Sequence, residues 1–96
     1  MDLRTMEGFE SSRVLKKAPP IYPDPAITGR VQGTVRLKAT IAKDGTVQNI
    51  EVMSGPALLV QAAEDAVRRW TFLPARYRGE IVEDVTHVTV NFALAQ

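Results

Sequence analysis

TVRLKATIAKDGTVQNIEVM, residues 34 to 53, is the stretch that decides the fold. From Thr34 to Ala42 it alternates, with Val35, Leu37, Ala39 and Ile41 on one face and Thr34, Arg36, Lys38 and Thr40 on the other. That period of two belongs to a strand with one buried face. Lys43-Asp44-Gly45-Thr46 interrupts it with an Asp-Gly pair, whose glycine accepts positive φ without steric cost, and a second strand runs from Val47 to Met53. The two form a β-hairpin. Ile50 and Val52 share a face while Val47 falls out of phase, which predicts either a bulge or a ragged start of pairing at the beginning of the second strand.

Downstream, Ser54-Gly55-Pro56 stops the strand, and Leu59, Ala62, Ala63, Ala66, Val67 and Trp70 recur at spacings of three and four. This is the apolar stripe of a helix, whose other side carries Gln61, Glu64, Asp65, Arg68 and Arg69. Glu64 is spaced to pair with Arg68, and Asp65 with Arg69, at i,i+4. Phe72-Leu73-Pro74 ends the helix, and Arg76 to Glu83 reads as a polar connection around Gly79. A last strand follows, with Thr86, Val88, Val90, Phe92 and Leu94 on one face and Val85, His87, Thr89, Asn91 and Ala93 on the other.

Upstream, Pro19-Pro20-Ile21-Tyr22-Pro23-Asp24-Pro25 holds four prolines in seven residues, which fixes φ and predicts a stiff extended arm, with a short helix from Pro25 to Gly29. Residues 1 to 13 show neither helical nor strand period and read as a flexible lead-in or linker, leaving one domain over 14 to 96. The expected class is α+β: a small three-stranded antiparallel sheet in β-β-α-β order, one face packed by a helix, preceded by a Pro-rich arm or short helix.

Composition narrows the function. Ninety-six residues leave room for a single core. The formal net charge of +1 makes no strong field toward nucleic acid or anionic lipid. With no cysteine there is no disulfide, thiolate nucleophile or Cys-ligated zinc. The N-terminus lacks the apolar core of a signal peptide and no run reaches about 18 apolar residues, so the expectation is either a cytosolic protein or a piece of a longer one.

The punctuation is more specific than the element order. Tyr22-Pro23, Val31-Gln32-Gly33-Thr34-Val35, Asp44-Gly45-Thr46-Val47, Ala63, Ala66-Val67-Arg68-Arg69-Trp70-Thr71-Phe72 and Pro74 together resemble the C-terminal domain of TonB-family energy transducers, over about residues 18 to 94. Physical roles can be assigned to several of these positions without invoking a site: Gly33 and Gly45 for tight turns, Trp70 and Phe72 for aromatic area between helix and sheet.

The resemblance implies a non-enzymatic periplasmic module of an inner-membrane-anchored protein whose anchor lies outside this chain. It implies capture of an extended TonB-box peptide of an outer-membrane transporter by strand addition, energised by an inner-membrane proton-driven motor complex. The family's receiving strand maps to Val85 through Leu94, so the expected peptide-binding residues are Val85, Thr86, His87, Val88, Thr89, Val90, Asn91 and Phe92. A β-branched strand at a sheet edge is itself a template for another strand, a second copy of this chain included, so a strand-mediated homodimer is a further expectation. Charged or polar Glu83, Asp84 and His87 would guard that edge. Well-known members carry a Gln-Pro pair before the Tyr-Pro motif that contacts the partner; here Pro19 and Pro20 occupy that place, which changes the side-chain contact available to the peptide.

Other readings have less behind them. His87 is the only histidine, and no carboxylate pair has the context of general acid and base, so neither catalytic residue, metal ligand nor cofactor site is expected. Lys16-Lys17, Arg36, Lys38, Arg68-Arg69, Arg76 and Arg78 are offset by interspersed acids, which argues against nucleic acid as a partner. The same fold fused to another membrane protein, such as a sensor-type metallopeptidase, would serve as an extracytoplasmic interaction domain; only sequence upstream of Met1 distinguishes that case.

Overall fold

A computed structural model describes residues 7–94. The expected lead-in is thereby described from Glu7 onward; residues 1–6, and the expected domain's last two, lie outside the described part. The chain runs β1 (Phe9–Glu10), β2 (Arg13–Lys16), α1 (Asp24–Thr28), β3 (Gly33–Ile41), β4 (Val47–Ser54), α2 (Ala57–Arg68), β5 (Thr71–Leu73), β6 (Ala75–Tyr77), β7 (Glu80–Val82) and β8 (Asp84–Phe92). This is a mixed α+β fold with three antiparallel sheets, ordered β4-β3-β8, β2-β5 and β1-β6-β7.

The alternation in β3 does what its period requires. Val35, Leu37, Ala39 and Ile41 are fully buried, joined by Val88, Val90 and Phe92 of β8, and Leu59, Ala63 and Val67 of α2 pack in the same core. Thr34 and Arg36 on the other face are exposed, and Lys38 and Thr40 are half-buried. Hairpin β3-β4 contains the expected bulge: Thr40 pairs with Asn49 but Ile41 with Val47, leaving Gln48 without a register partner. A second shift, between Arg36 and Leu37, leaves Met53 in the same position.

Gly45 has two reasons to be glycine. Its φ is +86°, and a Cβ there would lie 2.2 Å from the carbonyl oxygen of Phe72. That proximity exists because the hairpin turn docks on β5, where the Phe72 amide donates to the Gly45 carbonyl at 2.9 Å. Beside it, the Asp44 carboxylate accepts from the Thr46 hydroxyl at 2.6 Å and the Thr46 amide at 3.0 Å, and these two bonds hold its pKa below the usual aspartate value.

Three local expectations are corrected. Residues 76 to 83 are no open connection: β6 and β7 form a hairpin whose turn, Arg78-Gly79, has φ of 50° and 85°, the left-handed pair that two-residue hairpins need. Part of the lead-in is paired, since Phe9 and Glu10 face Tyr77 and Arg76, and Arg13 faces Leu73. Strands of two to four residues are too short to display a period, which is why they are invisible to a reading of alternation. On α2, Glu64 does meet Arg68 at 3.6 Å, but Asp65 also turns to Arg68 at 3.6 Å, while Arg69 reaches across to the Pro19 carbonyl at 3.5 Å.

Candidate functional site

The sheet β4-β3-β8 has two outer strands, and they differ in regularity. β8 keeps nine consecutive register pairs with β3, from Gly33 with Phe92 to Ile41 with Asp84, whereas β4 is broken by two shifts. Among the described residues β3 is the only sheet neighbour of β8.

The direction of the main-chain groups follows from one hydrogen bond. The Ala42 amide donates to the Thr46 carbonyl at 2.9 Å, so at position 42 the main chain points toward β4. Donor and acceptor groups alternate sides along a strand, hence even-numbered residues of β3 point to β4 and odd-numbered ones to β8. The odd residues Ala39, Leu37, Val35 and Gly33 face Thr86, Val88, Val90 and Phe92, which therefore spend their main-chain groups on β3. His87, Thr89 and Asn91 aim theirs at the outer edge, one N–H and one C=O each.

Side chains along β8 sort in the same rhythm. His87, Thr89 and Asn91 are exposed, as is Val85 (40%); Thr86 is half-buried, and Val88, Val90 and Phe92 belong to the core. The Thr34 hydroxyl donates to Asn91 Oδ1 at 2.7 Å, which fixes that amide against the neighbouring strand. Of the eight β8 residues expected to bind peptide, three, Val88, Val90 and Phe92, turn their side chains mostly into the core.

Asp84 is not a guard of the edge. It is buried, and its Oδ2 accepts from both the amide (3.1 Å) and the hydroxyl (2.6 Å) of Ser12, pinning the link between β1 and β2 to the start of β8. Glu83, just outside the strand, and His87 remain exposed.

The Pro-rich arm lies against the far end of this strand. The Trp70 indole Nε1 donates to the Ala18 carbonyl at 3.0 Å, and Lys17 Nζ stands 5.1 Å from the centre of the same ring. Anchored there, Pro19 and Pro20 form one wall of a groove of about 390 Å³ whose other wall is Thr89, Val90 and Asn91, with Trp70 between them. The structure thus brings the two expected prolines to the last third of β8, and leaves Val85 to His87 outside this groove. Lys17, Ala18 and Trp70 were not among the expected site residues. Their only sequence signal is a long-range one, since Ala18 and Trp70 are 52 positions apart.

Residues 18–94 match the family described as the Gram-negative bacterial TonB protein C-terminal. The chain belongs to the TonB C-terminal domain family. It is 38% identical over 78 residues to Protein TonB of Xanthomonas campestris, covering 79% of this chain and 35% of that protein. It is 32% identical over 75 residues to Protein TonB of Escherichia coli (76% of this chain, 31% of that one) and 42% identical over 67 residues to Protein tonB2 of Pseudomonas aeruginosa (68% and 24%). The chain thus spans about a third or less of these relatives' length. The solution structure of the Pseudomonas aeruginosa TonB C-terminal domain superposes with a TM-score of 0.70 at 24% identity, over 96% of this chain and 92% of that one, a likeness of fold.

Within this TonB C-terminal domain the residues that carried the resemblance are architectural. The Tyr22 hydroxyl donates to the Val31 carbonyl and its ring meets Phe92 edge-on at 5.4 Å, so the Tyr-Pro motif fixes the far end of the arm to the end of β8. Trp70 and Phe72 are buried with ring centroids 6.4 Å apart. Among the described residues no three His, Cys, Asp or Glu side chains are grouped as metal ligands would be, and no helix is long and apolar enough to cross a membrane.

Proposed function

We propose that this domain is the peptide-capturing end of a TonB-type energy transducer, taking an extended segment of an outer-membrane transporter as an added strand along His87 to Asn91. The observation that carries the reading is the groove between Pro19-Pro20 and Thr89-Asn91, which lies at a regular edge whose alternate main-chain groups point outward. Three residues with one donor and one acceptor each allow up to six new bonds. At about 0.5–1.5 kcal/mol net per bond, less the cost of ordering the peptide and of association, the grip is of roughly micromolar strength. A hold of that strength is reversible, as a transducer that engages transporters in turn requires.

The domain accounts for about a third of the TonB relatives, and in our reading the rest of the protein supplies an inner-membrane anchor, a periplasm-spanning spacer and contact with the proton-driven motor. The same outward groups accept a second copy of this chain when no peptide is present. The function is one of binding and force transfer, without chemistry.

An NMR titration with peptides from the N-terminal segments of the source organism's outer-membrane transporters tests the reading. The amides of His87, Thr89 and Asn91 should move most and gain exchange protection, with smaller changes at Lys17 and Ala18. Peptide-dependent shifts that leave these three amides still would sink strand addition.

A further inference from the structure

An added strand exposes alternate side chains on the two faces of the sheet, and the face away from α2 has a charge of its own. Two cross-strand rows on it are set by register: Ser54, Arg36, Thr89 and, next to it, Glu51, Lys38, His87. In the first row Arg36 is the one long side chain between two short ones. It is exposed, and among the described residues its guanidinium makes no hydrogen bond or ion pair. Arg36, Met53, Ser54, His87 and Thr89 line a concavity of about 410 Å³ on this face, continuous with the β8 edge. In the neighbouring row the acid Glu51 is the register partner of Lys38, not of Arg36.

Resting on the strand-addition reading, we infer that Arg36, assisted by His87, reads an acidic side chain of the captured segment at the position beside Thr89. A strand added to β8 lies about 4.8 Å beyond it, so that its residue beside Thr89 is two strand spacings, roughly 9.6 Å, from the backbone of Arg36. A glutamate and an arginine extended toward one another across a threonine span that distance. A guanidinium also donates two parallel hydrogen bonds to a carboxylate, which a neutral amide cannot reproduce as acceptor. Main-chain pairing then supplies a grip indifferent to sequence, while Arg36 selects among extended segments by charge. Asp84 and Glu83 take no part, the first being bound to Ser12 and the second lying beyond the strand's start.

The test uses fluorescence anisotropy with end-capped octapeptides of alternating valine and threonine, labelled through a flexible tether, in which a single Glu, Gln or Lys is moved through every position. At low salt, Glu should be preferred over Gln by about two- to fivefold at one position or at positions two apart, the size expected of a solvent-exposed ion pair. Arg36→Gln should erase the preference while leaving the Gln peptides bound as before, and Arg36→Glu should shift it to peptides carrying Lys. Arg36 is exposed, and circular dichroism with thermal unfolding verifies that the variants fold. Equal binding of Glu and Gln peptides at every position, or a preference that survives Arg36→Gln, overturns the inference and leaves strand addition standing. Failure of all peptides, neutral ones included, removes strand addition and this inference with it.

Discussion

Proline placed at Thr89 should weaken peptide capture strongly while leaving the domain folded. The main-chain alternation deduced from the Ala42 to Thr46 bond puts the Thr89 amide on the outer side of β8, where its loss costs no bond to β3. Proline is tolerated in a strand at such a position. Its ring would then stand where the added strand must approach, at the middle of the three outward-facing residues. Removal of the Thr89 donor forfeits one bond, and exclusion of the peptide from that point costs one or two neighbouring bonds; at about 1 kcal/mol each the total is roughly 2–3 kcal/mol, a loss of about 30- to 150-fold in affinity. Val88→Pro is the control, because Val88 is buried and its amide belongs to the β3 ladder, so the same residue one position earlier should cost about 3 kcal/mol or more of stability. Anisotropy titrations give the first quantity and urea unfolding the second. If Thr89→Pro binds peptide like the parent, the edge is not the site. If it unfolds as readily as Val88→Pro, the assigned alternation is wrong.

Other perturbations test the scaffold. Gly45→Ala forces a Cβ to 2.2 Å from the Phe72 carbonyl at a φ of +86°, and urea unfolding should register a loss of about 2 kcal/mol or more. Trp70→Phe keeps an aromatic ring but removes the donor to Ala18, at a cost of about 1–2 kcal/mol; amide exchange should rise at Lys17 and Ala18, and peptide affinity should fall without change at His87. Asp44 has a lowered folded pKa, so its contribution to stability is present above the ordinary aspartate value and fades as pH falls through the lower folded one. Asp44→Asn should therefore flatten the acid limb of a Tm against pH curve, and an unchanged limb would assign that limb to other carboxylates.

What could be read from sequence was what repeats or punctuates. Val35, Leu37, Ala39 and Ile41 announce β3 because burial on one face imposes a period of two, and Leu59, Ala63, Ala66 and Val67 announce α2 for the corresponding helical reason. Val47 even betrayed its bulge by falling out of phase. Asp84 looks like surface charge beside Glu83, while the Ser12 that satisfies it is 72 positions away. The prolines advertised a stiff arm but not its course, which depends on an indole donating to Ala18. The direction of the outward amides has no side-chain signature at all; it is set by the hairpin turn through Ala42 and Thr46.

The two outer strands of the central sheet show why a partner would choose one and not the other. An edge strand is a hazard unless something disrupts it, and β4 is disrupted twice, at Gln48 and at Met53, so an incoming strand would find its ladder interrupted at both ends. β8 has no such interruption over nine residues, although Val85 and Val90 make it the kind of strand that self-association exploits. Retaining an unbroken edge is costly to solubility and is hard to rationalise except by use. The arm stands at that edge: held by Trp70 at Ala18 and by Tyr22 at Val31, Pro19 and Pro20 lie alongside the last third of β8, where, on the proposed reading, they flank the incoming chain. Proline is suited to that wall because its φ is fixed before anything binds, so little conformational entropy is lost when the groove fills. On the proposed reading, bulged β4, regular β8 and the rigid arm are thus three parts of one arrangement, in which pairing is disfavoured at one edge and left open to an extended partner strand at the other.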